Sequence, residues 1–403
     1  MKRLQDARIL MYSHDTFGLG HLRRCRAIAH ALVERFKGLS VLIISGSQIA
    51  GAFDFRARVD FVKIPSVIKL YSGDYTSIGR HIDLDETLAL REALIFETAR
   101  HFSPDIFIVD KEPMGLHGEV EKTLIEMRRR GAMNVLGLRD VMDEPKALAA
   151  EWKKKGVTER IGALFDELWC YGPEGFWDPL AGLPLGDHVR AKLRYTGFLR
   201  REVPLGAHHD HDLPEDYILV TAGGGGDGAD VMNWVLAARE FDRNLVFPLV
   251  LVLGPFMKVE AREDIHRRAA NLSHVTVIDF DNALEAIQDG ARAVVGMCGY
   301  NTFCEIMSFD KPALFVPRSV PRQEQAIRAG RADELDWATL LPAEEAALPA
   351  VMADALHALP NRAPPSAAEL PVDLSGLEKV CERVETMLRA QDVTGVPLRA
   401  SRA

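Results

Sequence analysis

Apolar residues along the chain follow two alternating rhythms. Short runs that are apolar on both faces, Ile9–Ser13, Val41–Ser45, Ile106–Asp110 and Asn134–Arg139, are separated by stretches with helical spacing at Leu22–Phe36, Glu86–His101 and Gly118–Arg130. Runs of that kind suit strands of a parallel sheet covered by helices on each side, so the order predicts a βαβ succession. Leu168–Tyr171 and Leu193–Gly197 read as the last strands of this half. Arg200–Pro214 then carries Pro204, Gly206, Pro214 and the cluster His208-His209-Asp210-His211-Asp212, a composition expected of a linker. Beyond it the rhythm restarts with Tyr217–Val220, a glycine run, a helix through Val231–Phe241, and strands at Phe247–Leu253, Val275–Ile278 and Ala293–Met297. The pattern predicts an α/β chain of two Rossmann-like, doubly wound parallel-sheet domains, residues 1–205 and 213–403. A terminal amphipathic helix at about 375–391 is free to pack back on the first domain.

Length agrees with this division, since 403 residues exceed what one hydrophobic core usually organises. The 47% hydrophobic and 27% charged content is that of a globular protein. Lys+Arg 49 against Asp+Glu 58 gives a formal charge of −9, which offers no electrostatic footprint for nucleic acid, so an anionic ligand must be bound locally. The longest apolar stretch, Leu245–Met257, is interrupted by Pro248, Gly254 and Pro255 and falls short of a bilayer's thickness. No transmembrane segment and no signal-peptide core are expected, so the chain reads as cytoplasmic, with peripheral membrane contact left open. Five cysteines without a C-x-x-C pair read as reduced thiols.

Three stretches can carry chemistry. In the first, strand Ile9–Ser13 runs into Gly18-Leu19-Gly20-His21 and a helix. Glycines there let backbone approach a ligand, and the new helix offers free N–H groups to an anion. Arg23 stands where a dinucleotide fingerprint has its third glycine, so the loop is not that motif. His21 falls at the carboxyl end of the first strand, the edge where open α/β sheets bind ligands, and an imidazole there can take a proton from a hydroxyl nucleophile. Asp110 ends another apolar run and should face the same edge, where it can orient the acceptor or His21 or stand as an ordinary strand-exit charge.

The second stretch is Gly223-Gly224-Gly225-Gly226-Asp227-Gly228, again between strand and helix. It lacks the Lys-Ser/Thr of a Walker loop and reads as a backbone cradle for a diphosphate without a lysine. The third runs from Asp279-Phe280-Asp281 through Gly299-Tyr300-Asn301-Thr302 and Glu305 to Pro317-Arg318 and Arg322-Gln323-Glu324-Gln325. Phe280 can lie against a base, Gly299–Thr302 can present helix-start amides to phosphate, and Glu305 can accept both ribose hydroxyls. Gln323 and Gln325 can reach phosphate or sugar.

This third stretch resembles the C-terminal domain of glycosyltransferase family 28, whose best-known member adds N-acetylglucosamine to the lipid-linked precursor of peptidoglycan. Ala313-Leu314-Phe315-Val316-Pro317 followed by Arg322-Gln323-Glu324-Gln325 carries the likeness, which covers most of residues 215–345. The resemblance implies a GT-B fold, with the two domains facing a central cleft, and a UDP-linked hexose donor, with neither metal nor cofactor. It implies that the glutamate matching Glu305 holds the ribose, that the glycines matching Gly223–Gly226 and Gly299 bind diphosphate, and that the histidine matching His21 is the candidate base. The first loop is also similar to a nucleotide-sugar hydrolase of the pseudaminic acid pathway, in which the matching histidine activates water. The expectation is therefore a metal-independent, inverting hexosyltransferase with an unknown hydroxyl acceptor. A nucleotide-sugar hydrolase, a nucleotide-sugar 2-epimerase and a non-catalytic sensor are the alternatives. Asp83-Leu84-Asp85, Asp279-Phe280-Asp281 and the His208–Asp212 cluster read as solvated or structural groups rather than metal ligands.

Overall fold

The computed structural model describes residues 3–14, 20–48, 50–69, 75–77, 83–204 and 206–393. The chain divides into two units, Met1–Leu199 with Ser375–Ala403, and Arg200–Leu374.

The first unit is built on strands β1 (Arg8–Ser13), β2 (Ser40–Ser45), β3 (Val59–Lys63), β6 (Ile106–Asp110), β7 (Met133–Arg139), β8 (Glu167–Tyr171) and β9 (Leu193–Tyr195), in the order β3-β2-β1-β6-β7-β8-β9. Every pairing is parallel. A short antiparallel pair, β4 (Val67–Lys69) with β5 (Tyr75–Ser77), lies outside this sheet. All five residues of β6 are buried, as are the last five of β1, so the runs apolar on both faces occupy the sheet's middle. Strand order reverses between β1 and β6, which opens a crevice at their carboxyl ends.

The second unit repeats the scheme with β10 (Ile218–Thr221), β11 (Leu249–Val252), β12 (Val275–Ile278), β13 (Ala293–Gly296), β14 (Ala313–Phe315) and β15 (Thr339–Leu340), ordered β12-β11-β10-β13-β14-β15 and all parallel. Its order reverses between β10 and β13, so the loops that leave those two strands flank a crevice of this unit's own. A core of Ile218, Val220, Leu249, Leu251, Val295 and Leu314 holds this sheet against its helices.

The helix Gly376–Val393 groups with the first unit, the packing back that the sequence left open. Ser375 bridges Leu199, the Arg383 guanidinium meets Glu167, and Gln391 Nε2 donates to the carbonyls of Asp105 (3.2 Å) and Gly131 (3.1 Å). Arg200–Pro214 belongs to the second unit rather than standing as a free linker. Arg201 N donates to Ser308 Oγ at 2.9 Å, its guanidinium donates to Asn301 Oδ1 at 3.0 Å, and His211 Nε2 lies 2.8 Å from Asp281 Oδ2.

Candidate functional site

In the first unit β1 and β6 run side by side with Tyr12 opposite Val109, so the chain leaving β1 and the last residue of β6 meet at one edge. The helix Gly20–Arg35 begins there and carries His21 and Arg24 three residues apart on the same face. Both reach Asp110. Arg24 Nε donates to Asp110 Oδ1 at 2.8 Å and Nη2 to Oδ2 at 2.5 Å, while His21 Nδ1 lies 2.5 Å from that same Oδ2. Arg24 and Asp110 are each 2% exposed and His21 is 17% exposed, so the imidazole is the member of the triad that meets the surface.

The charges fix the tautomer. Burial works to raise the Asp110 carboxyl, but the Arg24 guanidinium and the His21 ring outweigh it and hold the group well below the usual carboxylate range. An ionised Asp110 accepts only, so His21 Nδ1 carries the proton and Nε2 presents a lone pair. Burial, the largest influence, lowers the His21 pKa; the hydrogen bond and charge of Asp110 pull it back up, and Arg24 and Lys111 press it down. The ring is neutral near pH 7 and poised to accept a proton.

A second layer supports this edge. Arg91 donates to both oxygens of Glu119 at 2.6 Å, and the Tyr12 hydroxyl donates to Glu119 Oε1. With its proton so used, Tyr12 Oη accepts from His14 Nδ1, 3.3 Å away. The His14 ring stands edge-on to His21 at 5.7 Å, and burial drops its pKa to about 3. Lys111 follows Asp110 with φ 68, a positive value that a non-glycine residue adopts only when its surroundings enforce it. Its N–H donates to Gly137 O at 2.7 Å, and the next residue, Glu112, accepts from Lys155 Nζ at 2.9 Å.

In the second unit the loops after β10, β13 and β14 form a closed ring of neighbours. A Cβ placed on Gly223 would lie 3.6 Å from Thr302 Oγ1, and one on Gly299 would lie 4.0 Å from Gln325 Nε2. Gln325 Oε1 accepts from Arg318 N at 3.3 Å. Arg318 Nε stands 3.2 Å from Asp227 Oδ2, back on the glycine loop, and Nη2 donates to Glu324 Oε1 at 3.2 Å. The helix Tyr300–Ser308 opens into this ring, with Gly299 at its cap. Cys298, just before it, has φ 62 and is pinned by Arg328 Nη1, which donates to its carbonyl at 2.9 Å.

The glycine run has a structural cause as well as a ligand-binding one. Gly223 and Gly225 have φ +63 and +84, and a Cβ on Gly225 would come within 2.2 Å of Leu253 O. Two strand exits pack backbone on backbone here, which only glycine permits.

The predicted residues thus fall into two groups. His21 and Asp110 are in direct contact, with Gly20 opening their helix; Gly18 lies outside the described residues. Gly223–Gly226, Gly299, Thr302 and Gln325 belong to the ring of the second unit, and Glu305, 1% exposed, follows Thr302 on the same helix face. Gln323 is an exposed cap of the helix Glu324–Glu334. The Tyr300 side chain is buried at 3% against Arg328 and the Asn301 side chain is engaged by Arg201, so the expectation for this turn rests on its backbone amides alone. Phe280 is 41% exposed beyond β12, two strands away from β10. Asp83 caps a helix by accepting from Glu86 N at 2.7 Å, and Asp279 pairs with His266 at 2.9 Å. Among the described residues no group of three or more His, Cys, Asp or Glu is placed to hold a metal ion. Missed by the sequence were Arg24, Tyr12, His14, Arg91, Glu119 and Arg318; the i, i+3 spacing of His21 and Arg24 was the available signal for the first.

Comparison with known proteins accords with this geometry. Residues 217–364 match the glycosyltransferase family 28 C-terminal domain. No curated protein matches the chain in sequence. Among solved structures it is similar to MurG of Acinetobacter baumannii (TM-score 0.55, 13% identity, 96% of this chain and 99% of that one). It is similar also to the Medicago truncatula protein UGT71G1 complexed with UDP-glucose (TM-score 0.61, 11% identity, 96% and 100%). A UDP-N-acetylglucosamine 2-epimerase shares the architecture (TM-score 0.61, 14% identity, 99% and 100%). At such identities the structural likeness speaks to the fold, two Rossmann-like parallel-sheet units of the GT-B type, and the family match speaks to the second unit. The chain has a GT-B fold, and its second unit carries the glycosyltransferase family 28 C-terminal domain over residues 217–364.

Proposed function

We propose that the protein transfers a hexose-type sugar, with inversion, from a nucleoside diphosphate sugar to a hydroxyl acceptor. The donor is UDP-linked in this reading, because the structural neighbours include one complexed with UDP-glucose and one that is a UDP-sugar epimerase. The observation that carries the reading is the His21–Asp110 contact: a neutral imidazole, oriented through Nδ1, with Nε2 as a base at a strand exit.

In the proposed step His21 Nε2 takes the proton from the acceptor hydroxyl as its oxygen bonds to the anomeric carbon. The bond from that carbon to the β-phosphate oxygen breaks, and the nucleoside diphosphate leaves with both electrons. General base catalysis of this kind is worth about 10²–10⁴-fold. The second unit binds the donor: amides of the Gly223–Gly226 loop and of the helix start at Gly299–Thr302 meet the diphosphate, and Glu305 accepts the ribose hydroxyls. Helix-start amides contribute about 0.3–1 kcal/mol each at exposed sites, so several must converge.

The test is release of nucleoside diphosphate across a panel of nucleotide sugars, with and without hydroxyl acceptors. Release that depends on an acceptor supports transfer. Release at full rate in buffer alone assigns the same dyad to water and makes the protein a hydrolase, and a 2-epimerised sugar product identifies an epimerase. Silence with every donor defeats the reading.

A further inference from the structure

The glycine loop of the second unit carries no lysine, and backbone amides alone are weak ligands for a diphosphate, which bears two to three negative charges. Arg328 and Arg201 are spent on the Cys298 carbonyl and on Asn301, whereas the guanidinium of Arg318 faces the glycine loop itself. Arg318 leaves the exit of β14 and spans the ring, its Nε 3.2 Å from Asp227 Oδ2 on the glycine loop and its Nη2 3.2 Å from Glu324 Oε1 at the start of the next helix. The two carboxylates are not equivalent. Glu324 is 5% exposed at its side chain, whereas Asp227 is 53% exposed, on the loop where the anion is proposed to lie. Arg318 itself is 22% exposed; its backbone N–H is tied to Gln325 Oε1 and its Nη1 donates to Val320 O at 3.4 Å, which with Glu324 holds the guanidinium while Nε faces Asp227.

We propose that Arg318 is the cation of the diphosphate site and that Asp227 is a built-in competitor for it. The proposal rests on the second unit binding a nucleoside diphosphate, as argued above. Glu324 remains the buried anchor of Arg318 throughout. The exposed Asp227 carboxylate gives way to phosphate, which matches the guanidinium fork at least as well and is additionally met by the loop amides. Binding is then an exchange of one anion for another. Asp227 lowers affinity for every diphosphate ligand, the departing nucleoside diphosphate included, and so favours product release.

This makes a prediction of unusual sign, in which removing a polar side chain beside a ligand site tightens binding. Calorimetric titrations with UDP and with inorganic pyrophosphate, in the presence of a chelator, are run on the full chain and on Asp227→Asn, Arg318→Gln, Arg318→Lys and the Asp227→Asn/Arg318→Gln pair. Asp227→Asn should bind both probes about two- to fivefold tighter, the range spanned by a half-exposed ion pair. Arg318→Gln should bind them about ten- to a hundredfold more weakly, the worth of charge-assisted hydrogen bonds. Arg318→Lys keeps the charge without the fork and should fall between, which guards against a loss caused only by leaving Glu324 unpaired. Adding Asp227→Asn to Arg318→Gln should then change nothing. If Asp227→Asn binds as the parent does or more weakly, or still tightens binding without Arg318, the exchange is refuted. If the parent chain itself binds neither UDP nor pyrophosphate, the donor-site reading falls first, and that failure is seen in the parent rather than in the variants.

Discussion

Replacing Asp110 with asparagine separates the structural and chemical duties of one buried carboxylate. Its two oxygens receive Arg24 Nε at 2.8 Å, Arg24 Nη2 at 2.5 Å and His21 Nδ1 at 2.5 Å. Asparagine keeps one acceptor, so Arg24, 2% exposed, loses its counter-charge and half its fork. Removing one partner of a buried ion pair costs about 3–5 kcal/mol. At about 2–4 °C per kcal/mol for a unit of this size, the thermal midpoint should fall by roughly 6–12 °C when the lower figure applies. The chemical effect is read separately, as kcat and kcat/KM against pH at a temperature where the variant is folded. Asp110 raises the His21 pKa through its hydrogen bond and charge, against burial that lowers it. Without that carboxylate the imidazole is still harder to protonate, so the acid limb of kcat/KM should move to lower pH. The plateau should drop about 10²-fold or more, because Nδ1–H is no longer held and the tautomer with a free Nε2 lone pair loses its preference. Donor KM should change little. A plateau within about threefold of the parent, or an acid limb displaced upward, would falsify the dyad.

Other expectations follow from the same edge and from the glycine loop. His14 is held near 3 in the folded state against about 6.5 when unfolded, so between those values the unfolded chain binds a proton that the folded chain does not, and stability should decline by about 1.4 kcal/mol per pH unit as pH falls. His14→Gln should flatten that decline in chemical denaturation at pH 4 to 6; an unaltered slope would contradict the assignment. Glu119→Gln leaves Arg91, 1% exposed, without its anion, and should cost about 3–5 kcal/mol in denaturant unfolding, whereas a change below about 1 kcal/mol would show the cluster is not stabilising. Gly225→Ala must open the contact with Leu253 O at a positive φ; it should destabilise the second unit by about 1–3 kcal/mol and abolish UDP binding, and an unimpaired titration would free the loop of its proposed role.

Much of the fold was legible because parallel strands buried on both faces leave short apolar runs such as Ile106–Val109, spaced by amphipathic helical stretches. His21 and Asp110 were legible for the same reason, since each follows such a run and strand exits at a switch point converge. Partners of high sequence separation were not. Arg24 looks like any helix arginine until Asp110, 86 residues on, is beside it, and Tyr12 meets Glu119 107 residues away. The terminal helix displayed an amphipathic stripe without saying which surface it covers, and the answer lay in the Ser375–Leu199 bridge and in Gly376, where a Cβ would lie 2.6 Å from Gly197 O. The run at Arg200–Pro214 had the composition of a linker, yet Arg201 and His211 tie it to side chains of the second unit that pattern alone does not pair. The four glycines announced a tight turn, but the need came partly from the exit of β11, which approaches them through backbone.

In the proposed mechanism an imidazole of the first unit does chemistry on a sugar carried by the second. Paired measurements on His21→Ala decide it: turnover of the nucleotide sugar selected by the panel, and the dissociation constant for that same donor. Turnover lower by about 10²–10⁴-fold at undiminished donor affinity is the predicted result. Turnover retained, or affinity lost in step with it, would contradict the mechanism.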